Sequence, residues 1–370
     1  MTSTYAERDR RQHEIAAACR DGLTPMELLE VVSRRLRSAV PFAAGYLSAT
    51  DPATTLFSSA ILLDGIEEAM CAPSIRNEFE VADFNKFSDL HRNRTAATTL
   101  RRTTWDRLHR SPRHRDVNLP FGFEHELRAT LCTVDGCWGV INLLRTKGDA
   151  DFTDHELDFV DSISGIVGEG LRTSLTKAPP LDQDPHITPG VILLDENGIV
   201  LSMTDRAAKL VGELGHRPVE TGFGVPLPGE AYIVATRAWA KAKGHTGPDP
   251  IARVRSRSGG WLTVRGECTR HSDGSIAETA IVIEPSRNSE VLPLFVAAHG
   301  LSDREKEVLA ELVDGRSTNQ IAHVLFISAH TVRDHVKSIL EKVGVNSRGE
   351  LISALYRLHY EPDLKTRHLR

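Results

Sequence analysis

The sequence predicts a multidomain protein in which two α+β blocks precede an all-α block of four short helices. Its 370 residues correspond to two or three domains at roughly 150 residues per domain. Two stretches rich in proline and polar residues, 176–190 and 285–297, are typical of linkers. Strand and helix patterns are mixed ahead of the second linker, and only helical patterns follow it. We therefore expect an N-terminal helix at 1–22, followed by blocks at 23–175, 186–284 and 298–362.

Composition and charge are those of an ordinary soluble protein. Hydrophobic residues make up 40% and charged residues 26% of the chain, and the net charge of −5 excludes a protein that coats nucleic acid over its whole surface. The sequence has neither an apolar signal segment nor a run of roughly 18 apolar residues that could span a bilayer. We therefore expect a cytoplasmic protein with no membrane partner. The five cysteines are scattered, so we expect no disulfide framework.

The first block begins with a helix and ends with a hairpin and a long helix. Positions 24–27 (TPME) supply an N-cap threonine, a proline at the first helical position and a capping-box glutamate. Segments 127–134 and 137–145 read as strands around an Asp-Gly turn. Thr153 then caps a long helix. The buried stripe of that helix is predicted to be Leu157, Val160, Ile163, Ile166, Val167 and Leu171.

The middle block reads as two strands, a helix and then further strands. The segment 190–212 gives an apolar run, a turn, a second short strand and a helix. Segments 251–270 and 277–286 read as strands around Gly-Gly and Asp-Gly turns.

The four short helices of the last block are located by their caps. Three pairs spaced three residues apart predict capping boxes, namely Ser302 with Glu305, Ser317 with Gln320 and Ser347 with Glu350. Ser328 fits a fourth N-cap, with Thr331 in place of the acid. Breaks fall at Gly315, at 326–327 and at Gly344.

The apolar residues of these helices fit one compact bundle. They form four faces: Val308, Leu309, Leu312 and Val313; Ile321, Ala322 and Leu325; Val332, Val336, Ile339, Leu340 and Val343; and Leu351, Ile352, Leu355 and Leu358. Only residues 326–328 join the second helix to the third. A connection that short forces the sharp angle of a helix-turn-helix.

The opposite face of the third helix carries the best candidate site, with polar residues at three- and four-residue spacing: His330, Arg333, Asp334, Lys337 and Glu341. An α-helix fits the major groove of DNA, where arginine can donate two hydrogen bonds to guanine and aspartate can accept one from cytosine. In an isolated helix such a face would be merely solvated. Here it follows a helix-turn-helix turn, and residues 316–348 hold five basic residues and two acidic ones, which favours DNA contact.

The segment LSDREKEVLAELVDGRSTNQIAHVLFISAHTVRDHVKSILEKVGVNSRGEL, 301–351, resembles the LuxR-type DNA-binding domain almost throughout. The resemblance implies base contacts from Arg333, Asp334 and Lys337, and phosphate contacts from Asn319, Thr331, Lys342 and Arg348. It also implies dimerisation through the fourth helix, for which we select Ile352, Leu355 and Tyr356. One departure is Gln320, which stands where many members carry a basic residue.

The two α+β blocks resemble sensory domains. Residues 23–175, and most closely the segment ELRATLCTVDGCWGVINLLRTKGDADFTDHELDFV, are similar to a GAF domain, which implies an antiparallel sheet flanked by helices and a pocket suited to a small molecule. Residues 186–284 look like a PAS domain. PAS domains usually carry an asparagine at the end of the second strand, where this chain has Thr204-Asp205, so no PAS ligand is carried over.

Three further features have a structural and a functional interpretation. Eight arginines between positions 92 and 115 read as a solvated loop and helix, or as a second surface for a polyanion or partner. Cys132 and Cys137, across the predicted hairpin, read as buried structural thiols, or as a redox sensor, because zinc would need more ligands at tighter spacing. The run GIVGEG at 165–170 lies within the long helix and indicates close packing rather than a nucleotide-binding loop.

We expect neither a metal nor another cofactor, and no enzymatic activity. The 16 histidines form no paired cluster typical of a metal site, and only His125 is a candidate haem ligand. Nucleophile-elbow and phosphate-loop patterns are absent from the sequence. The phosphoacceptor pattern of a receiver domain is absent as well, so regulation by a phosphorelay within this chain is not expected.

Two functional hypotheses follow. The first is a transcription regulator that binds double-stranded DNA as a homodimer, one recognition helix per half-site. It would respond through its first two blocks to an unidentified small-molecule effector and act on RNA polymerase. The alternative is a small-molecule-binding or enzymatic sensor protein that uses the helix-turn-helix only as an interaction module. DNA binding by the C-terminal segment distinguishes them.

Overall fold

The computed structural model describes residues 2–134, 136–176, 188–195, 198–214, 218–219, 227–258, 260–286, 290 and 299–357. Contacts divide these residues into two compact units, which comprise the described residues of 1–178 with 188–285, and those of 286–370. The two α+β blocks therefore belong to one unit, although the sequence suggested a linker between them. None of the described helices is long and apolar enough to cross a bilayer.

The first block is a five-stranded antiparallel sheet flanked by helices. Its strands are β1 (Ala44–Thr50), β2 (Phe57–Asp64), β3 (Ala97–Thr99), β4 (Phe123–Thr133) and β5 (Gly136–Thr146), in the spatial order β2-β1-β5-β4-β3. Its helices are α1 (Thr2–Ala18), α2 (Pro25–Ala39), α3 (Glu68–Glu80), α4 (Phe87–Arg92), α5 (Leu100–Thr104) and α6 (Asp154–Thr176). Short helical turns at Leu108–Arg110, His114–Asn118 and Leu119–Phe121 precede β4.

Local capping explains where α2 and α6 begin. The Thr24 hydroxyl accepts a hydrogen bond from the Glu27 amide, and the Glu27 carboxylate accepts one from the Thr24 amide, so two amides that the helix leaves unpaired are satisfied. Thr153 and Glu156 make the same reciprocal pair at α6. Both predicted helix starts are therefore confirmed.

Close backbone packing holds α6 against β4. A Cβ atom built on Gly168 would lie 2.9 Å from the carbonyl oxygen of Leu131, which leaves room only for glycine. Gly168 of the GIVGEG run thus serves helix packing, as predicted.

The second block is another five-stranded antiparallel sheet. It contains β6 (Gly190–Leu194), β7 (Val200–Met203), α7 (Asp205–Glu213), α8 (Gly229–Ala242), β10 (Ile251–Arg255), β11 (Trp261–Arg270) and β12 (Ile276–Pro285), with the short pair β8 (Pro218–Val219) and β9 (Leu227–Pro228) beside it. Its spatial order, β7-β6-β12-β11-β10, repeats that of the first sheet: second, first, fifth, fourth and third strand in chain order. The predicted strands are confirmed, although the turn residues 135, 196–197 and 259 lie outside the described residues.

Helix α8 joins the two sheets, and the sequence patterns did not predict it. Its residues from Gly229 to Ala240 are all buried, so it lacks the polar face that reveals a surface helix. It contacts α3 of the first block and β11 of the second. One apolar cluster contains Phe57 and Phe87 of the first block together with Ile233 of α8. Because this core is continuous, the two blocks form one unit.

The second unit is helical. Its described residues form α9 (Asp303–Val313), α10 (Thr318–Val324), α11 (Ala329–Val343) and α12 (Arg348–Arg357). Capping boxes at Ser302 and Ser317 are confirmed. At the start of α12, the carboxylate of Glu350 accepts from the amide of Asn346 rather than that of Ser347.

The core of the second unit follows the predicted faces with one exception. Its buried members are Leu301, Val308, Leu309, Leu312, Ile321, Val332, Ile339 and Leu351. Val313 is 47% exposed, because it is the last residue of α9 and lies beyond the turn that packs on α11. The side chains of Leu355 and Leu358 lie outside the described residues.

Candidate DNA-recognition surface

The turn between α10 and α11 orients the candidate helix. Leu325 ends α10, and Phe326 takes a left-handed φ of 54° that reverses the chain. The Ser328 hydroxyl then accepts a hydrogen bond of 3.0 Å from the Thr331 amide, which starts α11. Arg304 of α9 donates to the carbonyl oxygen of Leu325 at 2.5 Å. The bond from Arg304 therefore holds the end of α10, and the Ser328 cap holds the start of α11.

Helix α11 separates an apolar face from a polar one. Val332 and Ile339 are buried in the core, whereas Arg333, Asp334 and Lys337 are exposed. Lys337 has 78% of its side chain exposed and lies 3.9 Å from Glu341. Exposed pairs of this kind contribute roughly 0–1 kcal/mol, so they yield readily to a stronger partner. The three residues predicted to read bases thus lie together on one open face.

Two of the predicted phosphate contacts, on α10 and α11, have no competing charged partner in the described structure. Asn319 is exposed at the second position of α10. Thr331 is half-buried, and its hydroxyl is 2.8 Å from that of Ser328. Both are close to the N-terminal end of a helix, where amides favour an anion.

The other two predicted phosphate contacts already have partners within the protein. The Lys342 ammonium lies 2.6 Å from a Glu305 carboxylate oxygen and 3.1 Å from the carbonyl oxygen of Gly300. Arg348 is half-buried and donates to the carbonyl oxygen of Arg316 at 2.7 Å. Each would reach a phosphate only by sharing or exchanging these bonds.

Glu305 is the centre of a polar cluster that the sequence patterns did not reveal. Its carboxylate accepts hydrogen bonds of 2.6 Å from Lys342, from the Ser338 hydroxyl and from the Ser302 amide. Burial raises the pKa of this carboxyl, but the hydrogen bonds from Lys342, Ser338 and Ser302 outweigh burial and lower the pKa to about 2. Glu305 therefore ties α9 to α11 in addition to capping α9.

Of the predicted dimerisation residues, Ile352 is half-buried on α12 and packs against the core of the unit. The side chains of Leu355 and Tyr356 lie outside the described residues.

A second candidate site is an apolar cavity of about 340 Å³ in the first unit. Side chains of α2, β1, β2, α3 and α8 surround it, including Met26, Tyr46, Ile61, Cys71 and Ile233. Its size is near the lower end of small-molecule sites, which span roughly 300–1,000 Å³.

The arginine-rich segment is largely neutralised within the protein. Five of its eight arginines form ion pairs: Arg92, Arg101, Arg102, Arg113 and Arg115. Arg113 is buried rather than solvated. The arginines of the other four pairs are exposed, so the structure removes only Arg113 from a possible polyanion surface.

His125 does not fit the haem-ligand interpretation. It lies within β4, buried, with Nε2 3.1 Å from the carbonyl oxygen of Asp149 and Nδ1 3.5 Å from a carboxylate oxygen of Asp151. Both ring nitrogens thus face oxygen atoms of the protein.

The short turn, the capped third helix and the open cationic face define a helix-turn-helix DNA-binding domain. The family model described as "Bacterial regulatory proteins, luxR family" matches residues 299–355. The spore germination protein GerE of Bacillus subtilis is 41% identical over 58 residues, which are 16% of this chain and 78% of GerE. The chain belongs to the LuxR family of bacterial regulatory proteins.

Other comparisons cover less of each protein or show lower similarity. The transcriptional regulatory protein DesR of Bacillus subtilis is 47% identical over 60 residues, which are 16% of this chain and 30% of DesR. The structure of SdiA in complex with octanoyl-rac-glycerol aligns with 95% of this chain and 97% of the SdiA chain, at 12% identity. Its TM-score of 0.35 is too low to define a common fold. The matched relatives are LuxR-type transcriptional regulators and not enzymes, so the enzymatic alternative is not supported.

Proposed function

We propose that this protein is a sequence-specific transcription regulator that reads DNA with Arg333, Asp334 and Lys337. The observation that carries the proposal is the open polar face of α11, which follows a capped helix-turn-helix turn. Arg333 offers a planar fork for guanine, and Lys337, one turn further along, adds a single positive charge. Asp334 between them disfavours bases that present only acceptors.

Asn319 and Thr331 contribute phosphate contacts at the helix starts, and Lys342 and Arg348 contribute theirs while retaining intramolecular bonds. The active form is a homodimer that places one recognition helix in each half-site of a palindrome. Dimerisation uses α12 with Ile352, Leu355 and Tyr356. The regulator acts in the cytoplasm and affects transcription through RNA polymerase.

The first unit is the sensory part, with a GAF-like first block and a PAS-like second block. The antiparallel sheets flanked by helices support this assignment. An apolar effector fits the cavity, whose lining is mostly apolar. The cavity is bordered by Tyr46 of the first block and Ile233 of the second, so an effector would contact both blocks. An effector there would act by binding two arrangements of the unit with different affinity.

The test is selection of genomic fragments by the full chain, followed by mobility-shift titration of the enriched sequence. We expect enrichment of a palindromic site. A variant with Arg333→Ala and Lys337→Ala should lose that enrichment. Lys306→Ala is the matched control, because Lys306 lies on α9 and pairs with Asp303, away from the polar face of α11.

Absence of a shift at low salt, where nonspecific binding is strongest, would contradict DNA binding. Equal enrichment by the double variant and the wild type would contradict the assignment to α11.

A further inference from the structure

Three side chains of the first unit converge on one point, although they are distant in sequence. Cys132 and Cys137 are register partners on β4 and β5, and His91 lies on α4. Their ligand atoms all lie within 4.8 Å of one another, with 3.4 Å between His91 Nδ1 and Cys132 Sγ. Within the described ranges this is the one group of three or more His, Cys, Asp or Glu side chains placed closely enough to share a metal ion.

We propose that His91, Cys132 and Cys137 form a binding site for a thiophilic divalent metal ion of the zinc class. The spacing that excluded zinc at the level of sequence concerned the cysteine pair alone, whereas the fold adds an imidazole from 41 positions upstream of Cys132. This proposal does not depend on DNA binding.

The distances are compatible with tetrahedral coordination. Zinc lies about 2.3 Å from sulfur and about 2.0–2.1 Å from nitrogen, which separates ligand atoms by roughly 3.5–3.8 Å. A separation below 4.8 Å reaches this range through small side-chain rotations. Two thiolates and one neutral imidazole balance the +2 charge. They are softer donors than the oxygens that bind Mg²⁺ or Ca²⁺.

The surroundings fix Cys137 in place and leave the other two residues of the cluster accessible. Cys137 is fully buried and its Sγ lies 3.3 Å from the carbonyl oxygen of Gly139, while the Thr50 hydroxyl holds the Cys137 carbonyl oxygen at 2.8 Å. Cys132 and His91 are only half-buried, so an ion can enter from their side. Three protein ligands leave a fourth position for water or another small ligand.

The hydrogen bond between the two cysteines acts on both thiols. It lowers the pKa of the Cys132 thiol, with a further contribution from His91, and together with burial it raises the pKa of the Cys137 thiol. A metal ion binds both sulfur atoms as thiolates, so its binding releases the thiol protons.

Titration of the metal-free full chain with Co²⁺, under a phosphine reductant, tests the proposal. We expect one equivalent to produce sulfur-to-cobalt charge-transfer absorption together with the visible bands of tetrahedral cobalt, and Zn²⁺ to abolish both. Cys132→Ser and Cys137→Ser should each remove most of the charge-transfer absorption. His91→Ala should weaken Co²⁺ binding at least tenfold; since His91 is half-buried at the end of a short helix, this variant keeps the test valid if a cysteine variant misfolds.

Cys268→Ser is the matched control, because Cys268 is a half-buried thiol on β11 that contacts Thr279 instead of this cluster. It should bind Co²⁺ like the wild type. The proposal is overturned if the wild type shows no thiolate–cobalt absorption, or if the absorption survives in the cluster variants. It is also overturned if the pair only forms a Cys132–Cys137 disulfide without reductant and binds no metal when reduced.

Discussion

The two units of this protein use charge in opposite ways. In the first unit, Arg113 and Glu126 pair through two hydrogen bonds of 2.8–2.9 Å with only 4% and 0% of their side chains exposed. In the second unit, the cationic side chains of Arg333 and Lys337 on α11 are exposed to solvent. A buried ion pair is costly to desolvate and is stable only when its hydrogen-bond geometry is good. An exposed cation, in contrast, is available to a polyanion.

This difference indicates a division of labour within the chain. Buried pairs such as Arg128 with Glu78 and Arg253 with Asp51 join segments that are far apart in sequence, and Arg253 with Asp51 crosses between the two sheets. They specify one arrangement of the first unit. The polar face of α11 is not part of the core of the second unit. Its side chains are therefore available for contact with a partner.

The largest expected effect is on the buried pair. Glu126→Ala leaves the Arg113 guanidinium without its bidentate carboxylate, and we expect the free energy of unfolding to fall by about 3–5 kcal/mol. All four tryptophans lie in the first unit, so urea denaturation followed by tryptophan fluorescence measures this loss. Burial raises the pKa of Glu126 but Arg113 lowers it further, to a net value below the ordinary one.

The control for this measurement is Asp89→Ala, which removes the exposed partner of Arg92 and should cost no more than about 1 kcal/mol. If both substitutions lowered the free energy of unfolding by the same amount, burial would not explain the contribution of the Arg113–Glu126 pair to stability.

The next effect concerns Glu305, the one buried carboxylate of α9. Its folded pKa of about 2 lies below the ordinary value of 4.5 for a glutamate carboxyl. Its stabilisation is therefore fully present above pH 4.5 and is lost as the pH falls toward 2. Glu305→Gln weakens the bond to Lys342, and we expect the opening free energy of α11 to fall by about 1.5–3 kcal/mol at neutral pH.

Hydrogen exchange of the α11 amides, followed by mass spectrometry, checks this expectation, with the tryptophan transition of the first unit as an internal reference. Unchanged exchange in Glu305→Gln would show that Lys342 does not depend on this carboxylate.

A third, smaller effect separates base contacts from phosphate contacts. Arg333→Ala should relax discrimination at one base position by about 1–3 kcal/mol. Lys342→Ala should weaken binding to all sequences alike and reduce the salt slope of log K by about one. Mobility-shift titrations at several salt concentrations distinguish the two patterns, and hydrogen exchange on the same Lys342→Ala sample measures how much of its loss comes from Glu305. If both variants lost affinity equally for all sequences, the base-reading role assigned to Arg333 would be wrong.

Local signals in the sequence located the four helices of the second unit. In the first block they located α1, α2, β4, β5 and α6 but not β1–β3 or α3–α5. Each confirmed helix start, from Thr24 to Ser328, depends on groups within three residues of one another, and such pairs are visible in the chain itself. Helix α8 was missed because its residues from Gly229 to Ala240 are buried on every side, Glu230 and Arg237 included, so its polar residues do not mark an exposed face.

The site was predictable only where one helix carries it. Arg333 and Lys337 share a face of α11 because of helical spacing alone. In contrast, the Glu305 cluster and the contact of His91 with Cys132 join residues from different elements. No spacing rule connects these residues, because tertiary packing alone brings them together.

The smallest expected effect tests the turn that precedes α11. Phe326 combines a φ of 54° with 92% exposure, so it bears the cost of a left-handed residue without gaining burial. Asparagine tolerates this conformation better, and Phe326→Asn should raise the stability of the second unit by up to about 1 kcal/mol. Hydrogen exchange of α10 and α11 measures the change, and Val324→Asn, an exposed position in regular helix, should show no gain.

The DNA affinity of Phe326→Asn tests whether Phe326 belongs to the DNA-contact surface. Backbone strain is often retained at functional sites, and Phe326 lies two residues before Ser328, the N-cap of α11. Greater stability with weaker DNA binding would place Phe326 in the contact surface beside Arg333 and Lys337. Greater stability with unchanged affinity would confine its role to the turn. A loss of stability equal to that of Val324→Asn would contradict the strain argument, because the ring would then contribute packing that its exposure does not show.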